Sequence, residues 1–283
     1  SKLNMSETQF FEQEDGSRIA YKVLEPHNSK SETPLVLIIG LWSTKELFMG
    51  LEEELAKNQK VIVLDNRGIG ESSVVSFDDP ISLNLMAQDT IALVKHLGIK
   101  QFNMLGWSMG GCIALHIALN VPSDLKLEKL IICASPPKIL GAPIQKFEDL
   151  YNLSELSFPK SVQEQKDQIK NTFESIFVDY LLEHPDKLDK LSEIMFNAHR
   201  PLEIFKRQWE ALKPVDLVSE LQKIKVPTLI IHGEDDEIIP IQKGELLASE
   251  IPNSKFIRIP RTGHMFLLME TKSVIFINDF LLE

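Results

Sequence analysis

Short runs of consecutive apolar residues alternate with stretches of helical spacing along most of the chain. Leu35-Val36-Leu37-Ile38-Ile39 stops at Gly40, and Val61-Ile62-Val63-Leu64 stops at Asp65. Runs that are apolar at every position suit strands buried on both faces, since a half-wet strand would alternate. Phe102-Asn103-Met104-Leu105-Gly106, Leu130-Ile131-Ile132-Cys133, Thr228-Leu229-Ile230-Ile231-His232 and Phe256-Ile257-Arg258-Ile259 continue the series. Between them, Leu85, Met86, Ile91, Val94 and Leu97 predict a helix over 83–97. Small residues from Gly110 to Leu119 predict another, and 241–250 and 272–282 two more. Residues 10–14 and 17–23 flank Asp15-Gly16, a hairpin signal. Strand–helix alternation of this kind predicts an α/β fold, a mostly parallel sheet with helices on both faces.

The rhythm breaks between about Pro136 and Lys213, where only helical spacing remains, as at Ile169, Phe173, Ile176, Phe177 and Tyr180. So long a segment is not a loop. The expected organisation is a core of residues 1–136 and 214–283, with 137–213 as a helical cap over the C-terminal edge of the sheet, where open α/β folds bind ligands. Phe147, Phe158, Phe173, Phe177 and Trp209 are candidates for an apolar lid over the substrate; the competing reading makes them the cap's own core.

Chemistry enters at Gly106-Trp107-Ser108-Met109-Gly110, which joins a predicted strand to a predicted helix. A turn that sharp strains its central residue and lifts the hydroxyl off the sheet edge. The plain alternative is a serine capping a helix N-terminus. A serine hydroxyl needs a base, and His264 follows the last strand in Thr262-Gly263-His264, at the same sheet edge. His232, ending a strand, is the rival, with a core histidine bonded to backbone as its plain reading. The base needs an acid to fix its tautomer. Glu234-Asp235-Asp236-Glu237 directly follows a strand and offers four, although such a run also makes an ordinary solvated turn.

With the glycine-flanked Ser108, the Asp65-Asn66-Arg67-Gly68-Ile69-Gly70-Glu71-Ser72 loop, the Gly233–Pro240 segment and Gly263-His264, the chain resembles the α/β-hydrolase superfamily. The likeness is to the group containing enol-lactone hydrolases, small-molecule esterases and carbon–carbon bond hydrolases. It runs from Phe10 to Leu282 and is weakest across the insertion. The resemblance implies Ser108 as nucleophile, His264 as base and Asp236, rather than Asp235, as acid. It implies an oxyanion hole from the backbone N–H groups of Met109 and Leu41, although relatives read His-Gly-X where this chain has Ile39-Gly40-Leu41. Trp42 and Trp107 border these positions and are candidates, with Phe173 and Trp209, for lining the substrate pocket; packing is the alternative. A serine nucleophile argues against haloalkane dehalogenase and epoxide hydrolase chemistry, which similar proteins run from Asp. Met265 stands where carbon–carbon hydrolases carry an aromatic. The expected reaction is hydrolysis of a carboxylic ester or lactone. Carbon–carbon or thioester hydrolysis, acyl transfer, and a ligand receptor on the same fold are the alternatives.

Composition narrows the partners. A net charge of −11, from 41 acidic against 30 basic residues, argues against nucleic acid or an anionic membrane as partner. Two cysteines, Cys112 and Cys133, make no disulfide framework and read as buried thiols of a reducing, cytoplasmic compartment. No run approaches the ~18 apolar residues of a membrane span. Zinc-ligand spacings, a phosphate-binding loop and a dinucleotide fingerprint are missing, so neither metal nor cofactor is expected. The expected partner is a small, apolar ester or lactone, and nothing in the sequence specifies an oligomeric state.

Overall fold

A computed structural model describes residues 7–139, 161–176, 183–269 and 272–283. Eight strands form one sheet: β1 (Gln9–Glu12), β2 (Arg18–Leu24), β3 (Leu35–Ile38), β4 (Val61–Leu64), β5 (Gln101–Trp107), β6 (Lys126–Cys133), β7 (Thr228–Gly233) and β8 (Ser254–Ile259). Their order is β1-β2-β4-β3-β5-β6-β7-β8. β1 and β2 form the antiparallel hairpin, and β2 pairs antiparallel with β4. All further pairings are parallel. The hairpin turns at Gly16, with φ +89°, and Asp15 Oδ1 accepts the Ser17 N–H at 2.9 Å.

The apolar runs are buried on both faces because alternate residues serve two cores. Val36, Ile38, Ile62, Leu64, Leu130, Ile132 and Ile230 pack on one side. There they meet α2 (Leu83–His96), α3 (Met109–Leu119) and α7 (Ile241–Glu250). Leu35, Leu37, Val61, Val63, Ile131 and Ile231 pack on the other. Their partners are α1 (Leu51–Leu55) and α9 (Lys272–Leu281). This is the α/β-hydrolase architecture. Cys112 and Cys133 are buried free thiols; burial pushes the Cys112 thiol up to about 12.

Between β6 and β7 the described residues form α4 (Val162–Ile176), α5 (Pro185–Asn197) and α6 (Leu202–Leu212). A single antiparallel bridge, Lys138 to Asp216, ties the two ends of this segment together. Its helices touch loops that leave the C-terminal ends of β3 and β4. The Gly70 N–H donates to the His199 carbonyl at 2.7 Å. A Cβ on Gly68 would lie 2.6 Å from Ile204 Cδ1. The 3-10 turns Lys45–Phe48 and Val218–Lys223, helix α1 and the short α8 (Phe266–Met269) were not anticipated by the apolar pattern. Among the described residues no helix is long and apolar enough to cross a membrane.

Candidate active site

Ser108 occupies the turn between β5 and α3 with φ 57° and ψ −119°. A non-glycine residue held there costs on the order of 1–3 kcal/mol, so the surroundings must enforce it. They do so by close approach. A Cβ on Gly106 would lie 2.2 Å from the Gly110 carbonyl oxygen, and one on Gly110 2.0 Å from that of Ile38. Ser108 N–H donates to the Cys133 carbonyl at 2.9 Å, and its own carbonyl accepts from Ser135 Oγ at 2.8 Å. The serine makes no side-chain capping bond to α3, so the plain capping alternative goes unused. The side chain stays partly exposed at the C-terminal edge of the sheet.

Asp236 and His264 leave the C-terminal ends of β7 and β8, at that same edge. The two loops interlock at Gly233, where a Cβ would lie 2.2 Å from the Thr262 carbonyl oxygen. The Asp235 N–H donates to that carbonyl at 3.0 Å. Of the adjacent carboxylates, Asp235 faces solvent while Asp236 is buried. Asp236 Oδ2 sits 2.7 Å from His264 Nδ1. Its Oδ1 accepts the Ile238 and Ile239 N–H groups at 2.9 and 2.8 Å. Burial by itself would raise the Asp236 pKa. The charges and hydrogen bonds of His264 and His232 outweigh it and hold the carboxyl at about 2.

His232 is fully buried, with Nε2 at 2.8 Å from the Ile239 carbonyl, which requires a proton on that nitrogen. It also stands 3.4 Å from Asp236 Oδ2. It is thus a backbone-bonded histidine behind the carboxylate. His264 is anchored from the opposite direction, because Trp107 Nε1 donates to its carbonyl at 3.2 Å.

The β3 loop closes over the serine. A Cβ on Gly40 would lie 3.3 Å from Ser108 Cβ and 3.9 Å from the Met109 nitrogen, so Leu41 follows directly on this contact. Met109 opens α3, where the first N–H groups have no acceptor within the helix. Neither the Leu41 nor the Met109 amide donates to another backbone group among the described residues. Trp42 comes next, in the left-handed region at φ 55°. Two residues from the insertion grip it. Gln208 Oε1 accepts its N–H at 2.8 Å, and Arg200 Nε donates to its carbonyl at 2.7 Å. Its indole returns a bond to the Arg200 carbonyl at 3.1 Å, and its ring packs against Phe205 with centroids 4.9 Å apart.

The remaining sequence candidates separate by burial. Trp107 is 2% exposed, with its indole N–H on His264 and its ring 6.1 Å from that of Phe48, which is a packing position. Trp209 is buried in the core shared with α2 and α3. The Phe173 side chain, Phe147, Phe158 and Phe177 lie outside the described residues. Arg200 and Gln208 were not singled out from sequence, since neither sits in a motif and both acquire their role through a distant loop. Arg67, from the 65–72 loop, holds Asp89 through Nε and Nη2 at 2.7 Å each and Asp15 at 2.8 Å. Among the described residues no cluster of three or more His, Cys, Asp or Glu side chains is placed to hold a metal ion.

A doubly wound sheet with a strained serine, a buried acid and a histidine at one edge defines a class, and comparison with known proteins gives the family. The profile described as "alpha/beta hydrolase fold" matches residues 33–271, and the chain belongs to that family. It is similar to a putative carbamate hydrolase, RutD, of Pseudomonas savastanoi, with 28% identity over 81% of this chain and 86% of the relative. It is equally similar to a bifunctional esterase/perhydrolase, DCH, of Acinetobacter calcoaceticus, with 28% identity over 82% of this chain and 83% of the relative. Among solved structures, the enol-lactonase of Burkholderia xenovorans superposes with a TM-score of 0.81 at 21% identity, covering 97% of this chain and all of that one (100%). These likenesses support a hydrolase.

Proposed function

We propose that the protein is a serine hydrolase cleaving a carboxylic ester or lactone of a small molecule through an acyl-enzyme, with residues 137–213 as its cap. Ser108 Oγ attacks the carbonyl carbon while His264 Nε2 takes the hydroxyl proton. Asp236 holds the proton on Nδ1 through the 2.7 Å contact, which leaves Nε2 unprotonated to act as the base. The carbonyl oxygen becomes an oxyanion, which the Leu41 and Met109 N–H groups stabilise, each worth about 3 kcal/mol in the transition state. Collapse expels the alkoxide, which takes the proton from His264 and leaves an acyl-Ser108. Water then attacks the acyl carbon, giving its proton to His264, and the acid departs as Ser108 regains its hydrogen.

The observation that carries this reading is the buried Asp236–His264 pair at the sheet edge where Ser108 is held at positive φ. The relatives' activities support ester chemistry, and the carbamate hydrolases among them favour a second reading. A carbamate carbonyl is open to the same attack, with carbamic acid derivatives as products. A panel of p-nitrophenyl esters, lactones and simple carbamates, run with wild type and Ser108→Ala, tests both. Turnover of an ester or lactone that Ser108→Ala abolishes is the expected result. Turnover confined to carbamates selects the second reading, and ester turnover surviving in Ser108→Ala overturns the mechanism.

A further inference from the structure

Arg200, in the turn between α5 and α6, is a partly buried cation with no carboxylate beside it among the described residues. The two most buried cations among the described residues are each paired: Lys45 meets Asp65 at 2.7 Å and Arg67 meets Asp89 at 2.7 Å. Arg200 has only neutral company among the described residues, the Trp42 carbonyl on Nε and the Trp42 ring 3.9 Å from the guanidinium carbon. Of the guanidinium nitrogens only Nε is hydrogen-bonded among the described residues, and the Nη groups are not among the buried unpartnered atoms, so they stay accessible. Burial without a countercharge pulls the guanidinium pKa down to about 9, which still leaves it charged at neutral pH.

A second donor is uncommitted nearby. Gln208 is 0% exposed, and its Oε1 must face the Trp42 N–H, a donor, so the amide orientation is fixed. That leaves Nε2 buried with no partner among the described residues. Buried donors are normally satisfied, and an unmatched one calls for an explanation. Both groups flank Trp42, which follows Leu41 in the loop whose Gly40 packs against Ser108. Among the described residues, one unmatched buried donor and a cation with no countercharge thus lie beside the loop that carries Leu41 and Trp42.

We propose that this is a carboxylate subsite, and that the substrate is an ester or lactone carrying a free carboxylate away from the scissile bond. The planar fork of Arg200 presents paired N–H groups to the two carboxylate oxygens, which also supply the missing charge. The apolar substrate expected from the cap aromatics becomes one with an anionic end, such as a half-ester of a dicarboxylic acid. This rests on the serine hydrolase reading for its turnover but not for its binding. The competing role is mechanical: Arg200 only clamps Trp42 at its positive φ.

The test pairs the methyl half-esters of succinate, glutarate and adipate with the corresponding dimethyl esters. Wild type is expected to favour at least one half-ester by about tenfold in kcat/KM, chiefly through KM. In Arg200→Gln that ratio should fall to about one, and Arg200→Lys, which keeps the charge but not the fork, should fall between. A wild type that favours the dimethyl ester throughout the series overturns the subsite, and needs no variant to do so. So does an Arg200→Gln protein whose kcat/KM drops equally for both members of a pair, which is the signature of the clamp alone. If wild type cleaves none of these esters, calorimetric titration of Ser108→Ala with monomethyl and dimethyl glutarate separates the two ideas. Binding of the half-ester alone, lost in Ser108→Ala/Arg200→Gln, keeps the subsite while the ester reading falls; binding of neither overturns the subsite.

Discussion

Trp107 donates its indole N–H to the carbonyl of His264 at 3.2 Å, so the residue preceding the candidate nucleophile holds the loop carrying the candidate base. The bond spans β5 and the β8 loop and fixes their separation. Its donor is 2% exposed, where water cannot substitute for it.

Trp107→Phe keeps an aromatic ring beside Phe48 and removes this bond. The expected result is a loss of about 1 kcal/mol of stability, together with a fall in kcat of roughly three- to tenfold and little change in KM. Urea unfolding and ester kinetics on one preparation check both. An unchanged kcat would mean that the histidine loop holds its place without the indole.

The two adjacent carboxylates should behave differently. In Asp236→Asn the amide oxygen can still accept the Ile238 and Ile239 N–H groups, so the turn survives. The amide N–H₂ then faces His264 Nδ1 and drives the proton to Nε2, the nitrogen that the proposed mechanism requires unprotonated. Turnover should drop by up to about 10⁴-fold. Asp235 is exposed, and Asp235→Asn should stay within about tenfold of wild type. Measuring kcat for both variants decides, and a crippled Asp235→Asn would move the acid by one residue.

Acid stability carries a signature of Asp236. Its folded pKa, about 2, lies below the ordinary 3.8. A depressed carboxylate stabilises the fold in full above the unfolded value, and that contribution is lost as pH falls through the folded value. The stability gap between wild type and Asp236→Asn should therefore shrink by about 2 kcal/mol between pH 5 and pH 2. Urea unfolding at several pH values measures it. A gap independent of pH would show that the carboxylate is not stabilised by the histidines.

The sheet was legible because its strands are apolar on both faces, as the complete burial of Val61–Leu64 illustrates. The glycines around Ser108 and the Gly233 loop were legible for a related reason: close backbone approach leaves a local mark. The turn at Lys45–Phe48 left none. Lys45 is 2% exposed because Asp65 neutralises it from another strand end, and a lysine in sequence reads as surface. Arg200 and Gln208 belong with it. Their partner, Trp42, is 158 and 166 residues away along the chain, and no periodicity between β6 and β7 points to it. Trp107 shows the converse, a residue next to Ser108 whose position left pocket lining and packing both open and whose side chain packs inward.

The central claim is that Ser108 is the activated nucleophile, and covalent labelling tests it most directly. A fluorophosphonate reagent should form one adduct, on the peptide bearing Ser108, with loss of esterase activity in proportion to labelling and no adduct in Ser108→Ala. An adduct on Ser135 or any other serine, or an unlabelled protein that still hydrolyses esters, would contradict the account.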